Sequence, residues 1–343
     1  MKGNLILLVR RNKWKMKRSL IGLCALCLLV PRVALAHHGV ASLGAAGLEG
    51  PGAPIETSSS ATLPQGSVLG YLKLDYAQFE KFTAARDDES DYSNFWMFGL
   101  GYGFTPYLSA YLFLPYNTKV VEDNSFNTSG FADISLMGVL GFKYDEGLRL
   151  VPKSESLDDL EDWHFTLYGG LSLPTGDANV RDRDGNIDPS MSLGFGKPYF
   201  SSGLTVTRPV SQRLTLIGET SYIYFQDYTY DDGNRTQFGD EFRLNAALTY
   251  RLLTVTEWKL RLDANMEANY LKLGRDKANG VGELATGGHI LYLVPGVRGY
   301  WKNTSAGIGI KLPGWTDLNE EDDQQGAEGK ENYRLIFSFS LLL

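Results

Sequence analysis

The chain has 343 residues, with 33 lysine and arginine residues, 40 aspartate and glutamate residues and two cysteines. Eight basic residues fall within positions 1–36, so the remaining 307 residues carry 25 basic and 40 acidic residues, a net charge of −15. This acidity argues against nucleic acid as a partner, because no basic patch remains. Both cysteines, Cys24 and Cys27, lie in the same N-terminal stretch, which excludes a disulfide or a thiolate metal site from residues 37–343.

Positions 1–36 have the composition of an export signal. They contain no acidic residue, and Lys17 and Arg18 precede an apolar run from Leu20 to Val30. That run is too short to cross a bilayer as a helix. It is followed by Ala34–Ala36, which matches the small-residue pattern of a cleavage site. We predict a signal peptide over residues 1–36, with translation beginning at Met1 or Met16.

Residues 37–66 form a leader of different composition, rich in glycine, alanine, serine and proline and without a strand pattern. Two roles fit it: a flexible periplasmic tether, or a plug inside a barrel in which Glu49 and Glu56 pair with lumenal arginines. Its first residues, His37 and His38, are either an ordinary mature terminus or a chelator of Cu²⁺ or Ni²⁺ through the amine and imidazole nitrogens.

From Asp240 to Leu273 apolar and polar side chains alternate with a period of two, which predicts two strands of an antiparallel hairpin. One face is apolar with aromatic ends, and the other is polar or charged at nearly every position. Lipid on one side and water on the other would produce this pattern in a transmembrane β-barrel. A soluble sandwich is the alternative, since its strands also alternate.

Further strands follow the same rule and bring the predicted number to about twelve, between residues 67 and 343. The even number is typical of bacterial outer-membrane barrels, as are connections that alternate between short turns and long, mostly acidic loops. The last strand, Asn332–Leu343, is rich in aromatic residues and predicts recognition by the outer-membrane assembly machinery. The other predicted strands are Ser67–Phe82, Tyr92–Phe104, Tyr107–Glu122, Gly130–Tyr144, Trp163–Pro174, Tyr199–Arg208, Arg213–Tyr228, His289–Trp301 and Ser305–Trp315.

The strand pattern also predicts which polar side chains face the lumen and line a solute path. In the hairpin, acidic and basic residues share one face, and opposite charges in a narrow pore would filter polar solutes. The predicted lumenal residues are Lys73, Asp75, Asp133, His164, Glu219, Glu241, Arg243, Asn245, Lys259, Arg261, Asp263, Asn265, Glu267, Arg298 and Arg334. The glycines of Gly99-x-Gly101-x-Gly103 lie within an aromatic strand and are expected to relieve its curvature.

Several short motifs resemble the meta-pathway phenol-degradation family of outer-membrane proteins. They are Phe131-Ala132-Asp133, Leu171-Ser172-Leu173-Pro174-Thr175-Gly176-Asp177, Gly287-Gly288 followed by Pro295-Gly296-Val297, and Gly309-Ile310-Lys311-Leu312-Pro313. The resemblance covers about residues 67–343 and implies a transporter-like barrel, a channel for small solutes that include aromatic compounds. It provides no binding residue.

Three functions remain open at this stage: an outer-membrane channel, a structural or binding barrel without transport, and a barrel-embedded hydrolase. The hydrolase is the least favoured, and we do not predict an enzyme. His164 has Thr166, not a serine, two residues along its strand, and Asp231-Asp232 would need His289 to approach in space. The predicted partners are membrane lipid, lipopolysaccharide and a small solute, and the predicted state is a monomer in the outer membrane of a Gram-negative cell.

The long loops carry the candidate cation sites. Asp182, Asp184, Asn186 and Asp188 alternate around Gly185, which suggests either a calcium loop or an exposed polar turn, since the terminal bidentate glutamate of an EF-hand is absent. A dense set of acidic residues on predicted external loops is expected to hold divalent cations. These are Asp87, Asp88, Glu89, Asp91, Asp231, Asp232 and Glu320–Asp323.

Overall fold

The computed structural model describes residues 52–80, 90–153, 162–319 and 331–343. Across these ranges twelve long antiparallel strands close into one barrel, so the predicted fold class is confirmed. Numbered in chain order they are β1 Val68–Phe79, β2 Ser90–Thr105, β3 Leu108–Val121, β4 Ile134–Tyr144, β5 Trp163–Leu173, β6 Tyr199–Pro209, β7 Leu214–Tyr224, β8 Glu241–Val255, β9 Leu260–Leu273, β10 Gly288–Trp301, β11 Thr304–Leu318 and β12 Glu331–Leu342.

Each strand pairs with its neighbours in sequence, and the ring closes where the first strand meets the last. Leu69 on β1 lies opposite Leu342 on β12, and β1 also pairs with β2 along its length. The barrel therefore has the up-and-down topology in which every edge is covered. In the same residue ranges no helix has the length and hydropathy of a membrane span.

The two faces of the strands differ as the sequence predicts. On β8, Leu244 and Leu248 are exposed on the outer surface, whereas Glu241 is buried. On β9, Met266 is exposed and Glu267 is buried. An apolar outer surface around a charged interior is the arrangement of a barrel in lipid.

Short turns lie at one end of the barrel and long loops at the other, except that the long connection 145–162 between β4 and β5 lies at the short-turn end. Pro106-Tyr107 joins β2 to β3, and a single 3₁₀ turn, Thr256–Trp258, joins β8 to β9. Leu343 is at the short-turn end, where its carbonyl accepts a hydrogen bond from the Val68 N–H. At the same end a short strand, Leu148–Leu150, pairs with β4.

The opposite end carries short strands within its loops. Thr128–Phe131 extends the edge of β3. Four further short strands form a small antiparallel sheet of their own: Tyr228–Thr229, Arg235–Gln237, Lys277–Ala278 and Val281–Gly282.

The structure corrects three strand boundaries. The predicted strand Gly130–Tyr144 is interrupted at Ala132-Asp133, where the Asp133 carboxylate accepts hydrogen bonds from loop N–H groups. The strand predicted to reach Tyr228 ends at Tyr224. The alternation predicts that the second strand of the hairpin begins at Trp258, but Trp258 belongs to the 3₁₀ turn, where its side chain is exposed, and β9 begins two residues later at Leu260.

Some predictions fall on residues outside the described ranges. They concern the signal peptide, the histidines His37 and His38, the pairing of Glu49, and the acidic residues Asp87, Asp88, Glu89 and Glu320–Asp323.

Candidate solute path and the segment inside it

Residues 52–66 lie inside the barrel, and we call them the inserted segment. They form no strand, yet most of them are buried against the inner wall. Near one end the Thr62 hydroxyl donates to the Pro106 carbonyl in a short turn. Near the other end the Ala53 N–H donates to the Tyr300 hydroxyl, close to the same end of the barrel. The segment therefore enters from the short-turn end and returns to it, with its tip near mid-barrel.

Glu267 on β9 holds the tip through the backbone. Its carboxylate accepts hydrogen bonds from the N–H groups of Ile55, Glu56 and Thr57, with N···O distances of 2.6, 3.0 and 2.8 Å. The Thr57 hydroxyl adds a fourth bond of 2.6 Å. Consecutive N–H groups that converge on one carboxylate form an anion-binding nest, so this contact fixes the backbone of the tip.

Glu56 points to the opposite wall, where two lysines bind its carboxylate. Oε1 lies 2.5 Å from Nζ of Lys73 on β1, and Oε2 lies 2.9 Å from Nζ of Lys311 on β11. The ammonium of Lys311 also stands 4.4 Å from the centre of the Tyr292 ring. The expected pairing of Glu56 with lumenal arginines is therefore wrong, because two lysines occupy both oxygens of its carboxylate.

Ion pairs extend from Glu56 along β1 and β12. Lys73 also pairs with Asp75 at 3.2 Å, and Arg334 lies 3.7 Å from the same carboxylate. Arg334 forms a further ion pair with Glu331. Glu56 thus belongs to one buried chain of alternating charges.

Ile55 is anchored in an apolar pocket beside this chain of charges. It packs with Val294 and Ile336 in a buried cluster. Two glycines make room for it: a Cβ at Gly296 would lie 2.5 Å from the Ile55 side chain, and one at Gly309 would lie 3.0 Å from it. The first distance is shorter than Cβ contacts in proteins, so Gly296 requires glycine while Ile55 is seated, whereas a side chain at Gly309 would force Ile55 to shift slightly.

Two glycines of β2, Gly101 and Gly103, also make room for the segment, at its exit. A Cβ at Gly101 would lie 2.9 Å from the Leu63 side chain, and one at Gly103 would lie 2.2 Å from the Pro64 carbonyl oxygen. The sequence predicts that these glycines relieve strand curvature. The structure shows that Gly103 leaves space for the inserted segment, Gly101 for both Tyr111 and the segment, and Gly99 for Phe113 on β3.

Ser58 and Ser60 tie the segment to the remaining wall. The Ser58 hydroxyl bonds Glu219 on β7, which also accepts from the Tyr168 hydroxyl at 2.8 Å. Ser60 contacts the hydroxyl groups of Thr205 and Thr207 on β6. The inserted segment is therefore held on all sides by side chains, without β-pairing to any strand.

Most of the predicted lumenal residues do face the interior, but they pair differently from the expected open ladder. Arg243 pairs with Glu241 at 2.5 Å and Arg261 with Asp263 at 2.7 Å, in each case two residues apart on one strand. In each pair the positive and the negative charge cancel. Asn245 donates to Glu219, Asn265 accepts from Thr249, and Arg298 donates to the Pro54 carbonyl.

Lys259 is the exception and does not face the lumen. It follows the 3₁₀ turn with φ = 50° and is exposed at the short-turn end. The alternation pattern assigns these residues to a strand, but they form the turn. The inward orientation predicted for Lys259 therefore does not hold.

The histidines considered for hydrolysis have other partners. His164 is buried and its Nδ1 lies 3.2 Å from the Asp162 carbonyl oxygen, while the Thr166 hydroxyl contacts that of Thr205. Nδ1 of His289 lies 2.7 Å from the Tyr270 hydroxyl.

Asp133 organises the long-loop end, outside the strands. Its two carboxylate oxygens accept N–H groups from Gly176 at 2.8 Å and from Phe195 at 2.9 Å. Burial raises the pKa of Asp133, and the N–H groups act in the opposite direction. Asp133 is thus a structural residue that connects loops, placed beside the predicted path.

In the candidate calcium loop the carboxylates of Asp182 and Asp188 accept hydrogen bonds from backbone N–H groups of nearby loop residues. The Asp182 carboxylate accepts N–H groups from Asp184 and Asn186, and Asp188 accepts from Ser190. Within the described ranges no group of three or more acidic, histidine or cysteine side chains converges as a metal site. A cation at these loops stays a prediction.

The family model described as "Putative MetA-pathway of phenol degradation" matches residues 88–283, more than half of the chain. The chain belongs to this family. The resemblance recognised in its motifs is therefore confirmed. No curated protein matches the chain.

Solved structures of outer-membrane barrels are similar to this member of the family. The COG4313 outer membrane channel from Pseudomonas putida F1 has a TM-score of 0.64 at 13% identity, over 83% of this chain and 98% of that one. The NanC porin has a TM-score of 0.41 at 8% identity, over 80% and 98%. The beta domain of the Bordetella autotransporter BrkA has a TM-score of 0.43 at 9% identity, over 82% of this chain and 100% of that one. The first of these likenesses supports the outer-membrane type of the barrel.

The motifs that resemble the family fall at two places in the fold. Asp133 and Gly176 meet in the loop network described above. Gly296, Gly309 and Lys311 surround the tip of the inserted segment. The second group could not be linked to residues 52–66 from sequence spacing, because the contacts span more than 200 positions.

Proposed function

We propose that this protein is an outer-membrane channel for small solutes and that the inserted segment closes or narrows its path. The observation that carries the proposal is the attachment of the segment. Apart from the Gly66 N–H, which donates to the Gly103 carbonyl where the segment joins β1, the hydrogen bonds described between the segment and the wall involve side chains, as in the contacts of Ser60 and Leu63. Residues 52–66 form no strand of the barrel. The segment can therefore leave without breaking a strand pair, and the space that it vacates is wide enough for a polypeptide.

The charged interior supports transport of polar or amphipathic solutes over a purely structural role. Buried charges are costly in a barrel that never admits water, yet ion pairs line the interior at Lys73, Glu241 and Asp263. Because the family description refers to phenol degradation, small aromatic compounds are the solutes to test first.

We place the protein in the outer membrane of a Gram-negative cell, as a monomer that contacts lipid and lipopolysaccharide. The outward apolar surface supports the lipid contact, and exposed Phe337 and Phe339 on β12 support recognition by the assembly machinery. Export would use the signal peptide of residues 1–36.

Conductance in planar bilayers tests the channel function. A variant that lacks residues 39–62 should conduct several-fold more than the parent, because the segment no longer occupies the lumen. The matched control keeps the full length and replaces 53–62 with glycine and serine, which preserves the chain and removes the anchoring contacts. It should also conduct more than the parent.

Equal conductance of the deletion variant and the parent would show that the segment is not an obstruction. If every variant folds and none conducts ions, the result would contradict a channel and favour a structural barrel.

A further inference from the structure

The lysine pair that holds Glu56 has the properties of a carboxylate-binding site. Lys73 and Lys311 approach the two oxygens of one carboxylate from different strands, and the three side chains are nearly inaccessible, at 4–7% exposure. Charge-assisted hydrogen bonds in a buried setting are among the strongest polar contacts in proteins. The site is therefore built for a carboxylate, which the chain itself supplies.

The chain of ion pairs that includes the two lysines balances only when a carboxylate is present. The chain of ion pairs joins three cations, Lys73, Lys311 and Arg334, to three anions, Asp75, Glu331 and Glu56. Withdrawal of Glu56 leaves this set with one excess positive charge in the barrel interior. Two lysines that converge on one place attract an anion there, so departure of the segment leaves a position that favours another carboxylate.

The opposite wall adds a second requirement. Glu267 takes its hydrogen bonds from the backbone of Ile55, Glu56 and Thr57, and it loses these donors when the segment leaves. A replacement that satisfies both walls must carry a carboxylate for the lysines and a hydrogen-bond donor for Glu267. The two groups must be about one glutamate side chain apart, as they are in Glu56 itself.

We infer that Lys73, Lys311 and Glu267 form a solute-binding site for small carboxylates that bear a hydroxyl or amino group, and that Glu56 occupies this site when the segment is seated. The inference rests on the proposed channel function and names the class of its solute. Such a solute competes with Glu56, and by linkage its binding favours the state in which the segment is displaced.

Calorimetric titration of the purified full chain with 4-hydroxybutyrate tests the site, with 4-hydroxybutyramide as the neutral probe. Glu56→Gln removes the competing carboxylate and should bind 4-hydroxybutyrate about tenfold more tightly than the parent does, the effect of one charge-assisted contact. The amide should not bind. Adding Lys73→Met and Lys311→Met to Glu56→Gln should abolish the gain.

Glu241→Gln is the matched control, because it removes another buried carboxylate that pairs with Arg243 and does not touch Glu56. It should bind 4-hydroxybutyrate no better than the parent. Equal binding of the acid and the amide, or no gain in Glu56→Gln, would overturn the inference. If Glu56→Gln does not fold, the variant lacking residues 53–62 takes its place, and it must bind the acid and not the amide.

This test separates the two proposals. Calorimetry detects binding whether or not ions pass, so a barrel that binds 4-hydroxybutyrate and never conducts would contradict only the channel. A conducting deletion variant without carboxylate binding would contradict only the site.

Discussion

Ile55 should determine how firmly the inserted segment is seated. Its side chain is buried among Val294 and Ile336, above the space left by Gly296 and Gly309. Truncation of a buried isoleucine to alanine costs about 2–5 kcal/mol, and truncation to valine about 0.5–1.5 kcal/mol. Because the segment is not paired with any strand, this cost applies to its seating and leaves the barrel intact.

The cost converts into a population of open molecules. With about 1.4 kcal/mol per factor of ten, Ile55→Ala should raise the open fraction about thirtyfold or more, and Ile55→Val about two- to tenfold. Residues 37–343 contain no cysteine, so the substitution Ala53→Cys at a buried position reports opening through its reaction with a water-soluble thiol reagent. When closing is fast, the reaction rate follows the open fraction.

Leu248→Ala is the control for this experiment, since Leu248 is an exposed residue of the outer face. It should leave the reaction rate of the cysteine at position 53 unchanged. Equal rates in the parent, Ile55→Val and Ile55→Ala would refute the view that this pocket anchors the segment.

Three further predictions concern other contacts. Glu267→Gln should speed modification of a cysteine at position 53 by about tenfold, because an amide accepts fewer of the N–H groups of residues 55–57; an unchanged rate would argue against the nest. Gly103→Ala should also expose that cysteine, as a methyl group would meet the Pro64 carbonyl, and wild-type reactivity would contradict the close approach. In the variant without residues 39–62, a cysteine at buried Asn265 should react with the reagent and one at outward Leu262 should not; the reverse pattern would invalidate the assigned faces.

The strands could be predicted because their period is local. Alternation along Phe242–Tyr250 is a property of neighbouring residues, and it identified both the lipid face and the buried position of Glu241. The prediction failed at Lys259, where a 3₁₀ turn replaces the end of a strand. No periodic signal marks such a turn.

The contents of the lumen could not be predicted in the same way. The composition of residues 37–66 fits a tether and a plug equally well. What distinguishes the two is the fit of Ile55 over Gly296 and Gly309 and the approach of Glu56 to Lys311, and these partners lie on strands brought near only by closure of the barrel. The glycines and the lysine are visible in the sequence, but their partner in space is not.

The short connection between the inserted segment and the barrel has a consequence for regulation. The Gly66 N–H donates to the Gly103 carbonyl and the Ser67 N–H to the Pro64 carbonyl, so the segment is fixed to the wall just before β1 begins. A group on such a short tether acts at an effective concentration on the order of millimolar. A free solute must reach a comparable concentration before it can compete with Glu56. The barrel would then open when the solute is abundant and stay closed at low solute concentrations.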